Sequence, residues 1–360
     1  MCMMKSQVES TLLKEFGKKE GARLWDQYRD SFSTNYYEEC TLTQLVDDLI
    51  RIEKLSEKNS LDILIYQTDT LRLRVYQFGK LIPLSDLLPI LENMNLRTLE
   101  EHPYQITPKN NAMININDFS VVYQNPNLFD LKKVKDLFDD AFKQICNGSI
   151  ENDGFNKLVL GAELTAREII ILRAYAKYLR QTGFIFSQSS IEEALAAHVD
   201  IARLLVNFFI VKFSLQRKKS ESIDVIETTI LKLLESVTSL DEDRILRRFL
   251  LLMKATLRTN YFQLISDHQS KSYLSFKFLS SAVPELPLPH PLYEISVYSP
   301  QFEGIHLRHA KVARGGIRWS DRREDFRTEI LSLMKAQVVK KFYYCSFRRE
   351  RRFCFKKCNE

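Results

Sequence analysis

Apolar residues recur at helical spacing through the first 58 residues. Leu12, Leu13 and Phe16, then Leu45, Leu49 and Ile52, are separated by charged positions, which predicts a helical segment over 1–58. The period then drops to two. Residues 61–66 and 71–76, the second reading Leu-Arg-Leu-Arg-Val-Tyr, predict strands. A helix is expected from Ser85, read as its N-cap, with Leu87, Leu88, Leu91 and Met94 on one side. β-like runs return at 104–106 and 113–122. Two strands, a helix and two further strands predict a small α+β sandwich over 59–125.

From about 128 to 265 the pattern is helical. Thr165 and Glu168, Ser190 and Glu193, and Ser239 and Glu242 each place a hydroxyl three residues ahead of a glutamate and before an apolar run. That spacing lets side chains satisfy the first free amides of a helix, so three capping boxes and a helical bundle are expected. Five prolines between Ser281 and Pro300 mark a linker and a change of domain. Strands are expected at 293–298 and 305–312. A helix opens at Glu324-Asp325, acids at its positive end, with Phe326, Ile330, Met334 and Val338 as its buried face. The fold class is helix-rich, multidomain α+β.

At 360 residues, the chain is long enough for two or three domains. Its 45% hydrophobic and 27% charged content excludes general disorder. The longest apolar stretch, 204–213, is broken by Asn207 and Lys212 and is too short to span a bilayer, and residues 1–10 lack a signal-peptide core. A cytoplasmic protein with no membrane partner is expected. The net charge of +6 resides in residues 340–360, which hold eight basic and two acidic residues. The remainder is neutral, which argues against a nucleic-acid surface. The cysteines at 2, 40, 146, 345, 354 and 358 show no C-x-x-C spacing and no paired histidines, so they read as reduced thiols with no metal site.

Candidate chemistry is concentrated in Arg314-Gly315-Gly316-Ile317-Arg318. Gly315 and Gly316 are the one adjacent pair among ten glycines, and they leave the backbone open to close approach by a ligand. Two flanking guanidinium forks suit a carboxylate or phosphate. On residue chemistry alone, a tight turn with solvated arginines is an equal reading. Lys340, at the far end of the following helix, reads most simply as compensation of the helix dipole.

These residues, with 324–329 (Glu-Asp-Phe-Arg-Thr-Glu) and 335–340 (Lys-Ala-Gln-Val-Val-Lys), resemble the start of the catalytic domain of large NAD-specific glutamate dehydrogenases of the bacterial type. The resemblance extends back through residues 83–89, 151–160 and 241–248. It implies an ACT-like module over 59–125, a helical domain over 126–270 and the first part of a substrate domain over 271–340. It further implies that Arg314, Gly315, Gly316, Arg318, Gln337 and Lys340 bind the substrate, Arg314 standing where smaller family members have lysine. Glutamate brings two carboxylates, and both need neutralising in a partly dry pocket. The family's cofactor is NAD and its substrates are glutamate and 2-oxoglutarate. ACT modules commonly bind amino acids between paired copies, so self-association and a non-catalytic regulatory role form the second reading.

The family pattern continues with a strand and a Gly-Ala-Lys-Gly-Gly loop, whose lysine activates water, and then a nucleotide-binding domain. Residues 341–360 carry a basic, aromatic run instead. Read one nucleotide late, its codons permit Asn-Phe-Ile-Ile-Val-Pro-Ser-Gly-Ala-Lys-Gly-Gly-Phe-Val. The expectation is therefore a truncated fragment with a frame-shifted tail and no catalytic residue, binding no NAD and inactive by itself. Aromatics among the basic residues would also suit nucleic acid or an acidic membrane, a reading that rests on this tail alone.

Overall fold

The computed structural model describes residues 2–109, 112–124, 130–214, 222–265, 269–311, 317–322 and 324–336, with backbone alone at 2–4. The chain divides into two compact units, Met1–Ala166 and Arg167–Glu360. Arg314, Gly315, Gly316, Gln337, Val338, Lys340 and the tail 341–360 lie outside the described residues.

The first unit opens with α1 (Cys2–Tyr28), interrupted at Gly17, where φ is 80°. Glycine adopts that conformation without a Cβ penalty. At Gly21 a Cβ would stand 2.5 Å from the Leu12 carbonyl oxygen, so the second half of α1 rests directly on backbone of the first. Helices α2 (Thr34–Glu39) and α3 (Leu42–Ile52) follow. The start of α3 is fixed by a capping box in which Thr41 and Gln44 satisfy each other's backbone amides.

Strands β1 (Leu61–Gln67), β2 (Leu71–Phe78), β3 (Leu96–Ile106) and β4 (Ile114–Tyr123) form an antiparallel sheet in the order β1-β2-β4-β3. α4 (Leu84–Asn93) joins β2 to β3, and α5 (Leu131–Cys146) packs on β1. A short α6 (Lys157–Gly161) follows. Two expectations need correction. Ser85 lies inside the first turn of α4, and the N-cap is Pro83, without a side-chain bond. β3 starts at Leu96 rather than 104, because Arg97, Glu100, Glu101 and His102 break the apolar signal of an edge strand.

Alternation along β2 decides what each face of this sheet buries. Leu73 and Val75 lie opposite Ile65 and Ile63 of β1, and all four are buried. On the other face Tyr76 joins Leu12, Leu24, Tyr28, Leu45, Leu49 and Ile52 of α1 and α3. Arg74 shares that face and is buried with them. Its Nη1 donates to Asp48 Oδ2 of α3 at 2.7 Å, and its Nε to Asp118 Oδ2 of β4 at 2.9 Å. Tyr76 donates to Asp48 Oδ1 at 2.6 Å, and Tyr36 caps the other oxygen. Burial pushes the Asp48 carboxyl up, against the pull of Arg74 and the two phenols.

The second unit contains α7 (Ala166–Gln181), which begins one residue before the boundary, α8 (Gln188–Ala197), α9 (Val199–Phe213), α10 (Ile223–Leu234) and α11 (Leu240–Ala255). Its sheet holds β5 (Thr256–Thr259), β6 (Leu274–Leu279), β7 (Tyr293–Ser299) and β8 (Phe302–Arg308) in sequential antiparallel order. Ring stacking joins helix to sheet: Tyr175 lies 4.2 Å from Phe276 and Tyr178 lies 4.3 Å from Phe278, centroid to centroid.

Several expectations change here. β5 and β6 are strands that the periodicity does not predict, β5 running straight on from α11 where a helix to about 265 is expected. The cap of α8 is Ser187, which accepts from the Ser190 amide; Ser190 itself is helical. Ser239 does cap α11, but Glu242 gives its carboxylate to His198 Nε2 at 2.9 Å. α7 starts directly after Thr165. β8 spans 302–308 instead of 305–312, of which 312 lies outside the described residues. Among the described residues no single helix is long and apolar enough to cross a membrane.

Candidate functional site

Residues 317–336 leave the Gly-Gly segment and enter a helix that is described over 326–336. Its buried stripe is Arg327, Leu331 and Met334: Met334 is buried as expected, whereas Phe326 and Ile330 are half-buried, with Arg327 and Leu331 next to them fully covered. Leu331 and Met334 pack with Leu307 of β8, and Ile305 and Ile330 flank them. A charged residue heads the stripe because Glu294 of β7 waits beneath it.

Glu294 is wholly buried and Arg327 is 1% exposed. Arg327 grips both carboxylate oxygens, Nε reaching Oε2 at 2.9 Å and Nη2 reaching Oε1. Tyr178 of α7 donates its hydroxyl to Oε2 at 2.9 Å. Gln181 Oε1, also on α7, accepts the Arg327 backbone amide at 3.2 Å, one of the free amides at the helix start. Burial pulls the Arg327 guanidinium down, and Glu294 more than offsets it, so this arginine stays charged. Burial, with Glu294 beside it, lifts the Tyr178 phenol well above its ordinary value and keeps it a neutral donor. A bidentate pair with its remaining lone pairs satisfied is the arrangement in which two buried charges are tolerated.

Nearer the surface, each acid of the first turns engages a different arginine. Glu324 pairs with Arg180 of α7, Asp325 with Arg322, and Glu329 with Arg318, whose Nε lies 2.5 Å from Oε1. Ser320 Oγ donates to Glu329 Oε2 at 2.6 Å and accepts the Arg322 amide at 3.3 Å. These bonds fold residues 318–322 back onto the helix. The Ser320 hydrogen bond, with smaller help from Arg318, holds the Glu329 carboxyl below the usual range despite some desolvation. Ile317 and Trp319, on either side of Arg318, are exposed.

Of the six residues that the sequence nominates, Arg318 is the one described, with its side chain 60% exposed. Glu294, Arg327, Tyr178 and Glu329 carry the architecture around it and were not singled out. Arg327 and Glu329 sit in a charged segment that looks like a solvated face, and Glu294 is a lone acid in a strand; only the fold shows which of them are covered.

In the first unit, two neighbouring cavities of about 110 and 260 Å³ flank the edge strand β1. Arg51 of α3 and Lys135 of α5 line both, with Lys54 in the larger and Asp136 and Asp139 in the smaller. Neither cavity is the crevice of a parallel sheet, and both sheets among the described residues are antiparallel. The described residues therefore do not form a dinucleotide site of the doubly wound kind. Among them, no three His, Cys, Asp or Glu side chains are placed to hold a metal ion, and Cys40 and Cys146 are free thiols.

Profiles of four protein families match successive parts of the chain. Glutamate dehydrogenase helical motif 2 matches residues 11–55, the glutamate dehydrogenase ACT3 domain 60–134, and helical motif 3 150–215. The bacterial NAD-glutamate dehydrogenase catalytic domain matches 229–354. The NAD-specific glutamate dehydrogenase of Pseudomonas aeruginosa is 45% identical over 341 residues, covering 92% of this chain and 21% of the relative. Its counterpart from Halomonas elongata is 42% identical over 334 residues, 91% of this chain and 21% of the relative. That of Mycobacterium tuberculosis is 39% identical over 325 residues, 87% and 20%. The chain thus spans about a fifth of the length of these curated relatives.

Proposed function

Because the chain belongs to the NAD-specific glutamate dehydrogenase family, we propose that it contributes the carboxylate-binding side of the substrate pocket to oxidative deamination of L-glutamate. In that reaction glutamate, NAD and water yield 2-oxoglutarate, ammonium and NADH. The supporting observation is the pinning of the segment that follows the Gly-Gly pair in sequence: Glu294 and Arg327 fix the helix, and Glu329 fixes Arg318 to it. Arg318, Arg314 and Lys340 would neutralise the two substrate carboxylates, Gly315 and Gly316 would admit them to the backbone, and Gln337 would lie beside them. NAD, where bound, would accept hydride from the substrate carbon. Titration of the purified chain with L-glutamate, against Arg318→Ala, tests this: saturable heat that the substitution removes is expected, and no heat from the unaltered chain would sink it.

We further propose that residues 341–360 are read out of frame and that these 360 residues alone do not reduce NAD. They contain no Gly-Ala-Lys-Gly-Gly loop and no Gly-x-Gly-x-x-Gly. The catalytic-domain match runs on to residue 354, so the nucleotide sequence across codons 335–360 is the proper test. Glutamate-dependent NADH formation by the purified chain would overturn the claim of inactivity.

A second reading has one observation in its favour. Where β1 of the ACT-matched segment meets α3 and α5, Arg51, Lys54 and Lys135 stand with Asp136 and Asp139 around the cavities, a lining suited to an amino acid's paired charges. In this reading the module binds an amino acid and does no chemistry. Saturable binding of an amino acid that survives Arg318→Ala and is lost on Arg51→Ala would favour it.

A further inference from the structure

Arg318 and Glu329 are eleven residues apart, and the fold brings them to 2.5 Å. The two side chains are unequally placed. Glu329 is 16% exposed and has both oxygens engaged, whereas Arg318 is 60% exposed. The ion pair uses Nε of the guanidinium. An arginine offers two bidentate edges, and an acid held on Nε spares the end-on edge made by Nη1 and Nη2. Glu324 and Asp325, farther along the same segment, are committed to Arg180 and Arg322.

We propose that Glu329 is a positioning residue for substrate: it holds Arg318 by Nε and so presents the end-on guanidinium fork to a substrate carboxylate. Ser320 completes the device by orienting the Glu329 carboxylate through its second oxygen. The helix beneath is fixed in turn by the buried pair of Glu294 and Arg327. A long arginine side chain left free must be ordered when it binds ligand, and a carboxylate that orders it beforehand lowers that cost. This inference rests on the proposal that Arg318 binds a glutamate carboxylate.

The test is calorimetric titration of the full 360-residue chain with L-glutamate, using unaltered protein, Glu329→Gln, Glu329→Asp, Arg318→Lys and the double variant Glu329→Gln/Arg318→Lys. Thermal unfolding of each is measured in parallel. Affinity is expected to fall about tenfold in Glu329→Gln, the scale of one lost charge-assisted bond. Glu329→Asp is expected to keep part of that loss from appearing. The double variant should bind no more weakly than Arg318→Lys alone, because the two side chains act as one unit. Equal or tighter binding by Glu329→Gln overturns the inference, the tighter case identifying Glu329 as a competitor for Arg318. Additive losses also overturn it. Absence of binding in the unaltered chain instead defeats the underlying reading of Arg318.

Discussion

Glu294 of β7 and Arg327 of the 326–336 helix form a two-pronged ion pair that is almost completely removed from solvent. It joins a strand, a helix start and, through Tyr178, α7. The pair is a poor source of stability compared with apolar packing, yet removing one partner is costly because the other charge stays buried.

That asymmetry is measurable. Glu294→Leu and Arg327→Leu are each expected to destabilise the second unit by about 3–5 kcal/mol, and the double replacement by clearly less than either. Hydrogen exchange of peptides covering 167–185 and 326–336 reads this locally. Additive losses in the double variant would show that the pair is not a closed unit.

Asp48 poses the same problem in the first unit with more partners. Asp48→Ala leaves Arg74 with Asp118 alone and removes the acceptor of Tyr36 and Tyr76, so a loss of about 3 kcal/mol is expected. Asp48→Asn keeps the shape and an acceptor and should cost less. Urea unfolding followed by Trp25 fluorescence provides the measurement. Equal, small losses for both substitutions would mean that Arg74 finds another acceptor.

Arg74 also shows how far sequence pattern reaches. The Leu-Arg-Leu-Arg alternation of 71–76 correctly marks a strand, because period two depends on the backbone alone. It also suggests that the arginines face water, and at Arg74 they do not: α3 covers that face, and Asp48 and Asp118 meet the charge. β3 failed for the converse reason, its polar residues belonging to an edge strand. The site divides along the same line. Arg318 is nominated by its glycine neighbours and by family resemblance, whereas Glu294 and Glu329 make their ion pairs across the fold, which no local spacing reports.

The shifted cap of α8 can be checked by single substitutions. Ser187 accepts the Ser190 amide at 3.1 Å. Ser187→Ala should therefore lower stability by about 1 kcal/mol, and Ser190→Ala by a few tenths at most. Thermal unfolding of the two variants is sufficient. A larger loss at Ser190 would restore the cap to the position expected from the sequence.

Asp62 of β1 contributes to the acid response of the first unit. It accepts from Arg51 Nη1 of α3 at 2.6 Å and from Lys143 Nζ of α5 at 2.8 Å, so one carboxylate ties two helices to the strand. Burial pushes its carboxyl up, but the bonds from Lys143 and Arg51 prevail and hold it below the ordinary range. A carboxyl lowered on folding contributes stability that is fully present above its unfolded value of about 3.9 and is lost as pH falls through the folded value. Asp139, which also faces Lys143, is shifted the other way: burial raises it in spite of the lysine. Its contribution is present below about 3.9 and declines as pH rises through the folded value. Asp62→Asn should thus cost about 2 kcal/mol near neutrality and flatten the decline in stability below pH 4, whereas Asp139→Asn should steepen that decline. Urea midpoints measured from pH 3 to pH 7 decide it. An unchanged acid limb in Asp62→Asn would show that the two helix contacts are held by packing and not by this carboxylate.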